Sequence, residues 1–135
     1  MKIERVVICA DGASLGNPGL AAIGATIKDE QGRLVASISQ GIGRATNNQA
    51  EYRAVIAALE KAAKLGASEA DIYLDSELIV KQINGKYRVK RPTLKPLYQQ
   101  VKELQSRFES FTITHTPRQQ NKEADKLAHL ALRNY

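Results

Sequence analysis

The sequence predicts an α/β fold: a mixed sheet of five strands with helices packed on both faces. Three observations lead there. β-Branched runs and Ala/Leu/Glu/Lys-rich runs follow one another in the order βββαβααβα. The first three strands are joined by short turns, as in an antiparallel meander. The last two strands are each reached through helices, so they run parallel to the first and extend the same sheet.

Residues 3–12 (IERVVICADG) and 21–29 (AAIGATIKD) read as strands separated by a Gly/Pro turn, and EQGR turns the chain into a third strand at 34–43 (LVASISQGIG). TNNQ (46–49) offers N-cap residues to the helix AEYRAVIAALEKAAKLGA, which Gly66 ends. ADIYLD (70–75) is a short strand, and SELIVKQIN (76–84) is a helix stopped by Gly85. TLKPLYQQVKELQSRF (93–108) is a helix that tolerates Pro96 in its first turn. FTITHT (111–116) alternates like a strand, and NKEADKLAHLALRN (121–134) closes the chain as an amphipathic helix.

Size and composition set bounds. The 135 residues, 43% hydrophobic and 25% charged, suit one globular domain over residues 1–135, with no repeat or linker. No apolar run approaches the roughly 18 residues of a membrane span, and the N-terminal stretch MKIERVVICADG lacks a secretory pattern. The expectation is a cytoplasmic protein without membrane contact. The single Cys9, set in an apolar run, excludes an intramolecular disulfide and reads as a buried, inert thiol. A net charge of +6 favours a polyanionic partner such as nucleic acid.

Four acids require explanation. Asp11 and Asp75 each end a strand, and ligands of open α/β sheets bind outside the carboxyl ends of strands. Each also fits a plain turn, as DG or DS. Glu51 falls on the apolar stripe of Ala54, Val55, Ala58, Leu59 and Ala62, where a carboxylate is costly unless compensated. Its bland alternative is favourable interaction with the helix dipole. Asp125 flanks a similar stripe early in the last helix. Carboxylates converging on one crevice repel each other unless cations neutralise them. With neither His nor Cys available for a zinc site, oxygen-preferring magnesium or manganese fits. Two such ions about 4 Å apart serve in-line phosphoryl displacement. A basic protein with an acidic metal crevice reads as a nuclease.

DGASLGNPG, TNNQAEYRAVIAAL, YLDSELIV and NKEADKLA closely resemble, in order and spacing, the four motifs of the type 1 ribonuclease H family. The resemblance spans essentially the whole chain. It implies a ribonuclease H-like fold and an endonuclease that hydrolyses the RNA strand of RNA/DNA hybrids with two metal ions, leaving 5'-phosphate and 3'-hydroxyl ends. It also implies Asp11, Glu51, Asp75 and Asp125 as the metal-binding acids. Gly12 and Gly16 would let backbone approach the RNA, and Asn17 and Thr46 would hold a DNA phosphate. Asn47, Asn48 and Gln49 would read the minor groove, where 2'-hydroxyls mark RNA; TNNQ also reads as simple helix capping.

Departures from the family pattern are visible. Many members carry a His on the loop before the fourth acid, whereas TPRQQN has none; Arg118 is the best substitute by position, and a plain surface contact is its alternative. The family's basic handle helix is absent, leaving GKYRVKRPTLK, where Tyr87 is the candidate for stacking on the DNA strand; a solvated loop is the other reading. His115 and His129 read as structural or exposed. Two other functions remain open: a non-catalytic hybrid-binding module, against which the presence of all four acids argues, and a different nuclease or strand-transfer enzyme of the same architecture. The resemblance implies no protein partner.

Overall fold

The computed structural model describes residues 3–135; the first two residues of the stretch read for targeting lie outside them. Strands β1 (Arg5–Ser14), β2 (Gly19–Lys28) and β3 (Leu34–Ala45) are followed by α1 (Asn47–Lys64), β4 (Glu69–Leu74), α2 (Glu77–Ile83), α3 (Lys95–Gln105) and β5 (Ser110–His115). A 3₁₀ turn (Arg118–Gln120) then leads into α4 (Lys122–Arg133). The sheet order is β3-β2-β1-β4-β5. β1, β2 and β3 pair antiparallel, while β4 joins β1 and β5 joins β4 in parallel, as the crossover argument requires. Among the described residues no helix is long and apolar enough to cross a membrane.

The two faces of the sheet are covered by different helices. Val6, Ile8 and Ala10 of β1 are fully buried, alternating with half-buried Val7 and Cys9. α1 packs on β1 and β2 with α3 lying against it, whereas α4 packs on β1, β2 and β3. Two glycines show how close these contacts are. A Cβ at Gly12 would stand 2.3 Å from the Ala50 carbonyl carbon of α1, and one at Gly24 would stand 2.2 Å from the Ala124 carbonyl oxygen of α4. Asp11 pairs with Gly24 and Gly12 with Ile23, so α1 and α4 press on adjacent positions from opposite sides.

Several expected boundaries shift. Asp11 does not end its strand: the β1–β2 ladder continues through Ser14 opposite Ala21. The apolar run stops at Ala10, but backbone pairing needs no apolar side chain. α1 begins at Asn47, three residues before the expected start at Ala50, because Thr46 caps it. The Thr46 hydroxyl accepts the Gln49 N–H at 3.1 Å, and Gln49 Oε1 accepts the Thr46 N–H at 2.8 Å. α3 is shorter than the 93–108 stretch, with Pro96 in its first turn as expected. Near the chain's end the Tyr135 hydroxyl donates to the Ala21 carbonyl and accepts the Gly43 N–H at 2.8 Å, filling the irregularity where β2 and β3 slip register.

The Gly24→Ala variant should lose about 1–3 kcal/mol of stability, because the added methyl must displace α4 backbone rather than a flexible side chain. Chemical denaturation checks this. A loss within experimental error of zero would show that α4 is not seated on β2 as described.

Candidate active site

Asp11 sits in β1, Glu51 in the second turn of α1, Asp75 directly after β4, and Asp125 in the first turn of α4. Because β1 and β4 are parallel neighbours, with Ala10 opposite Leu74, their next residues, Asp11 and Asp75, emerge side by side. α1 brings Glu51 in from one face. Its Oε1 accepts the Gly12 N–H at 2.5 Å, so the peptide after Asp11 holds the glutamate in place. One carboxylate oxygen from each of Asp11, Glu51 and Asp75 lies within 4.8 Å of the others. Asp125 stands outside that tight group, although its charge acts on the Asp11 carboxyl. The dipole explanation for Glu51 loses its footing, since α1 has no acid in its first turn.

The cluster is buried and electrically unbalanced. Asp11 is 4% exposed and Glu51 6%, while Asp75 and Asp125 are half-buried. Glu51 Oε2, Asp75 Oδ2 and Asp125 Oδ1 are all shut off from solvent without a hydrogen-bond partner. Burial, followed by the charges of Asp75 and Asp125, pushes the Asp11 carboxyl up to about 7, although its hydrogen bond with Glu51 pulls the other way. Burial and then the Asp11 charge raise Glu51 well above the usual carboxylate range, against the pull of the Gly12 N–H. Buried acceptors of this kind require protons or cations. Hard divalent cations with oxygen ligands suit this donor set, so Asp11, Glu51 and Asp75 could hold such an ion.

The other expected residues fall into two regions. Asn17 Oδ1 accepts the Asn47 N–H at 3.1 Å and so joins the β1–β2 turn to the start of α1. Thr46, Asn48 and Gln49 line the same end of α1, half-buried, with Asn47 exposed. Beside them Arg44, Gln49, Arg53 and Thr93 line a cleft of about 270 Å³, and the two arginines went unnoticed as a pair because nine residues separate them. Gly12 is glycine because α1 lies on it; the turn proper holds Gly16. Tyr87 is 47% exposed, has Lys81 Nζ 5.0 Å from its ring centroid, and lines a cleft of about 550 Å³ with Lys86, Arg88 and Lys95. Arg118 is exposed on the 3₁₀ turn before α4.

Two residues next to the acids were not singled out from sequence. His129 is exposed as expected, yet its Nδ1 lies 3.3 Å from Asp125 Oδ1 and 2.9 Å from the Asp125 carbonyl oxygen. The i, i+4 spacing on α4 carried that signal. Asn121, at the start of α4, is 1% exposed, and its Nδ2 donates to the Ala10 carbonyl at 2.8 Å. Cys9 is half-buried, and burial pushes its thiol up, in keeping with an unreactive role.

A family model described as Reverse transcriptase-like matches residues 9–131. A bifunctional protein of Mycobacterium tuberculosis is 47% identical over 129 residues, covering 95% of this chain; the chain spans 35% of that relative's length. The crystal structure of ribonuclease H1 from Halobacterium salinarum superposes with a TM-score of 0.95 at 45% identity, covering 97% of this chain and 99% of that one. A ribonuclease H1 from compost, solved in complex with an RNA/DNA hybrid, gives a TM-score of 0.91 at 40% identity, covering 96% and 97% of the two chains. By the matched region, the identity and the superposition, this chain belongs to the Reverse transcriptase-like, ribonuclease H-type family.

Proposed function

We propose that the protein is an endonuclease that hydrolyses the RNA strand of RNA/DNA hybrids, with Asp11, Glu51, Asp75 and Asp125 holding two magnesium or manganese ions. The carrying observation is the set of buried carboxylate oxygens gathered within 4.8 Å, several without any partner. When bound, such a pair of ions activates water and stabilises the leaving oxygen, giving 5'-phosphate and 3'-hydroxyl ends. The relative solved with a hybrid supports the substrate class. The presence of all four acids weighs against a module that only binds hybrids.

The protein's own groups divide the remaining work. Asn17 and Gln49 spend their acceptor oxygens on backbone N–H groups, and the Thr46 hydroxyl accepts one too. Each therefore has a donor left to offer: the side-chain amide of Asn17 and Gln49 and the O–H of Thr46. Outward donors suit acceptor-rich ligands. Asn17 and Thr46, next to the cleft of Arg44 and Arg53, are assigned to a DNA phosphate, while Asn47, Asn48 and Gln49 are assigned to the minor groove and its 2'-hydroxyls. Gly16 lets the turn backbone come close to the RNA. Tyr87, with the basic residues around it, is assigned to the DNA strand, and Arg118, exposed on the 3₁₀ turn before α4, is assigned to a phosphate.

Three outcomes test this reading. A hybrid labelled on each strand should lose only its RNA in magnesium or manganese, and no cleavage in either metal would end the enzyme claim. Asp11→Asn and Asp75→Asn should cut kcat by more than the about 10–100-fold that outer-shell changes cost, with unchanged circular dichroism; wild-type turnover in either would refute the assignment.

The third outcome concerns pH. Asp11 goes from 3.8 to about 7 on folding and Glu51 also rises, so the metal-free native state binds more protons than the unfolded chain in that range. Stability without metal should therefore fall as pH rises from about 5 to about 8. Asp29, held below its usual range by Arg33, acts only at lower pH. Melting curves in chelator should show this decline, and manganese should reverse it at the alkaline end. A flat or rising melting temperature in chelator would contradict the electrostatic account.

A further inference from the structure

Asp11 on β1 and Asp125 on α4 are more than a hundred residues apart in sequence, so some group must set how α4 meets β1. Gly24 removes the steric obstacle but supplies no directional bond. Asn121 supplies one. It occupies the N-cap position of α4, where an asparagine ordinarily accepts an N–H from its own first turn, yet it makes no such cap. Its amide crosses to β1 instead and donates to the Ala10 carbonyl, the peptide group leading directly into Asp11. Its own backbone carbonyl accepts the Asp125 N–H at 3.1 Å. One residue therefore bonds both to the backbone leading into Asp11 and to the backbone of Asp125.

We propose that Asn121 is a positioning residue that fixes the separation of Asp125 and Asp11, and through it the ability of the cluster to hold cations. This rests on the metal-dependent reading above. The bond is directional and dry: Asn121 is 1% exposed, and its Oδ1 has no partner. Giving up a cap and leaving a buried oxygen unpaired both oppose stability. A side chain selected for stability alone would cap the helix. The arrangement is understandable if the amide's task is to set the orientation of the acid one turn later. Removing the amide leaves α4 seated by Gly24 and its apolar stripe but free to slide along β1, which moves Asp125 without unfolding the domain.

The test compares Asn121→Ala with Val101→Ala, a core truncation in α3, a helix that carries none of the four acids. Manganese binding to each purified protein is measured by calorimetry, alongside kcat and KM on a hybrid. Asn121→Ala should weaken manganese binding and lower kcat by about 10-fold or more, the range for groups that orient metal ligands from behind, with KM within about twofold. Val101→Ala should lose stability and keep both metal affinity and kcat. If Asn121→Ala only lowers the melting temperature, as the control does, the proposal is overturned. Should Asn121→Ala not fold, Asn121→Ser, a smaller polar residue at the same position, is held to the same criteria; failure of both to fold would make Asn121 a folding determinant and also overturn it. A wild-type protein that neither binds manganese nor cleaves hybrid would instead sink the underlying functional reading.

Discussion

The structure depends on the close approach of two helices to one pair of strands from opposite faces. At Gly12 and Gly24 the sheet has no side chain to hold α1 and α4 away, and an added Cβ would lie closer than van der Waals contact to helix backbone. Both helices bring a carboxylate to the strand between them. Glu51 comes from α1 and gathers with Asp11 within 4.8 Å, and Asp125 comes from α4 and acts on the Asp11 carboxyl through its charge. Asp75 arrives by a separate route, through the parallel pairing of β4 with β1. Convergence is thus a property of the packing, and the acids occupy the positions where that packing is tightest.

This arrangement opposes stability in the absence of cations. Burial disfavours the charged forms of Asp11 and Glu51, and repulsion from neighbouring carboxylates adds to it. The large apolar core around Ile8, Ile72, Leu59 and Leu74 offsets the unfavourable cluster. Carboxylate oxygens already gathered in one crevice without partners would need little rearrangement to receive cations. The Gly12 N–H contributes here by holding one Glu51 oxygen and leaving the other unpartnered.

Most of the architecture was legible from sequence. Strand and helix periodicity identified every major element, and connection lengths gave the correct parallel and antiparallel pairings. Boundaries were less legible for physical reasons. The hydrophobic pattern marks where side chains are buried, while the β1–β2 ladder and the Thr46 cap are set by backbone bonds that leave no apolar trace. The acids were readable because a charge on an apolar stripe conflicts with its surroundings, as Glu51 does. Asn121 was hidden because asparagine at a helix start is ordinary, and only coordinates show its amide turned toward β1. Gly12 was readable as special, but the neighbour that requires it, α1, lies 39 positions further along the chain.

The central claim is that Asp11, Glu51, Asp75 and Asp125 form one cation-binding centre. The most direct measurement is anomalous diffraction from crystals of the protein grown with manganese and a hybrid. The account predicts two manganese peaks in the crevice, each within about 2.6 Å of carboxylate oxygens drawn from these four residues. Manganese absent from the crevice, or bound there with Glu51 and Asp125 turned away from it, would contradict the account.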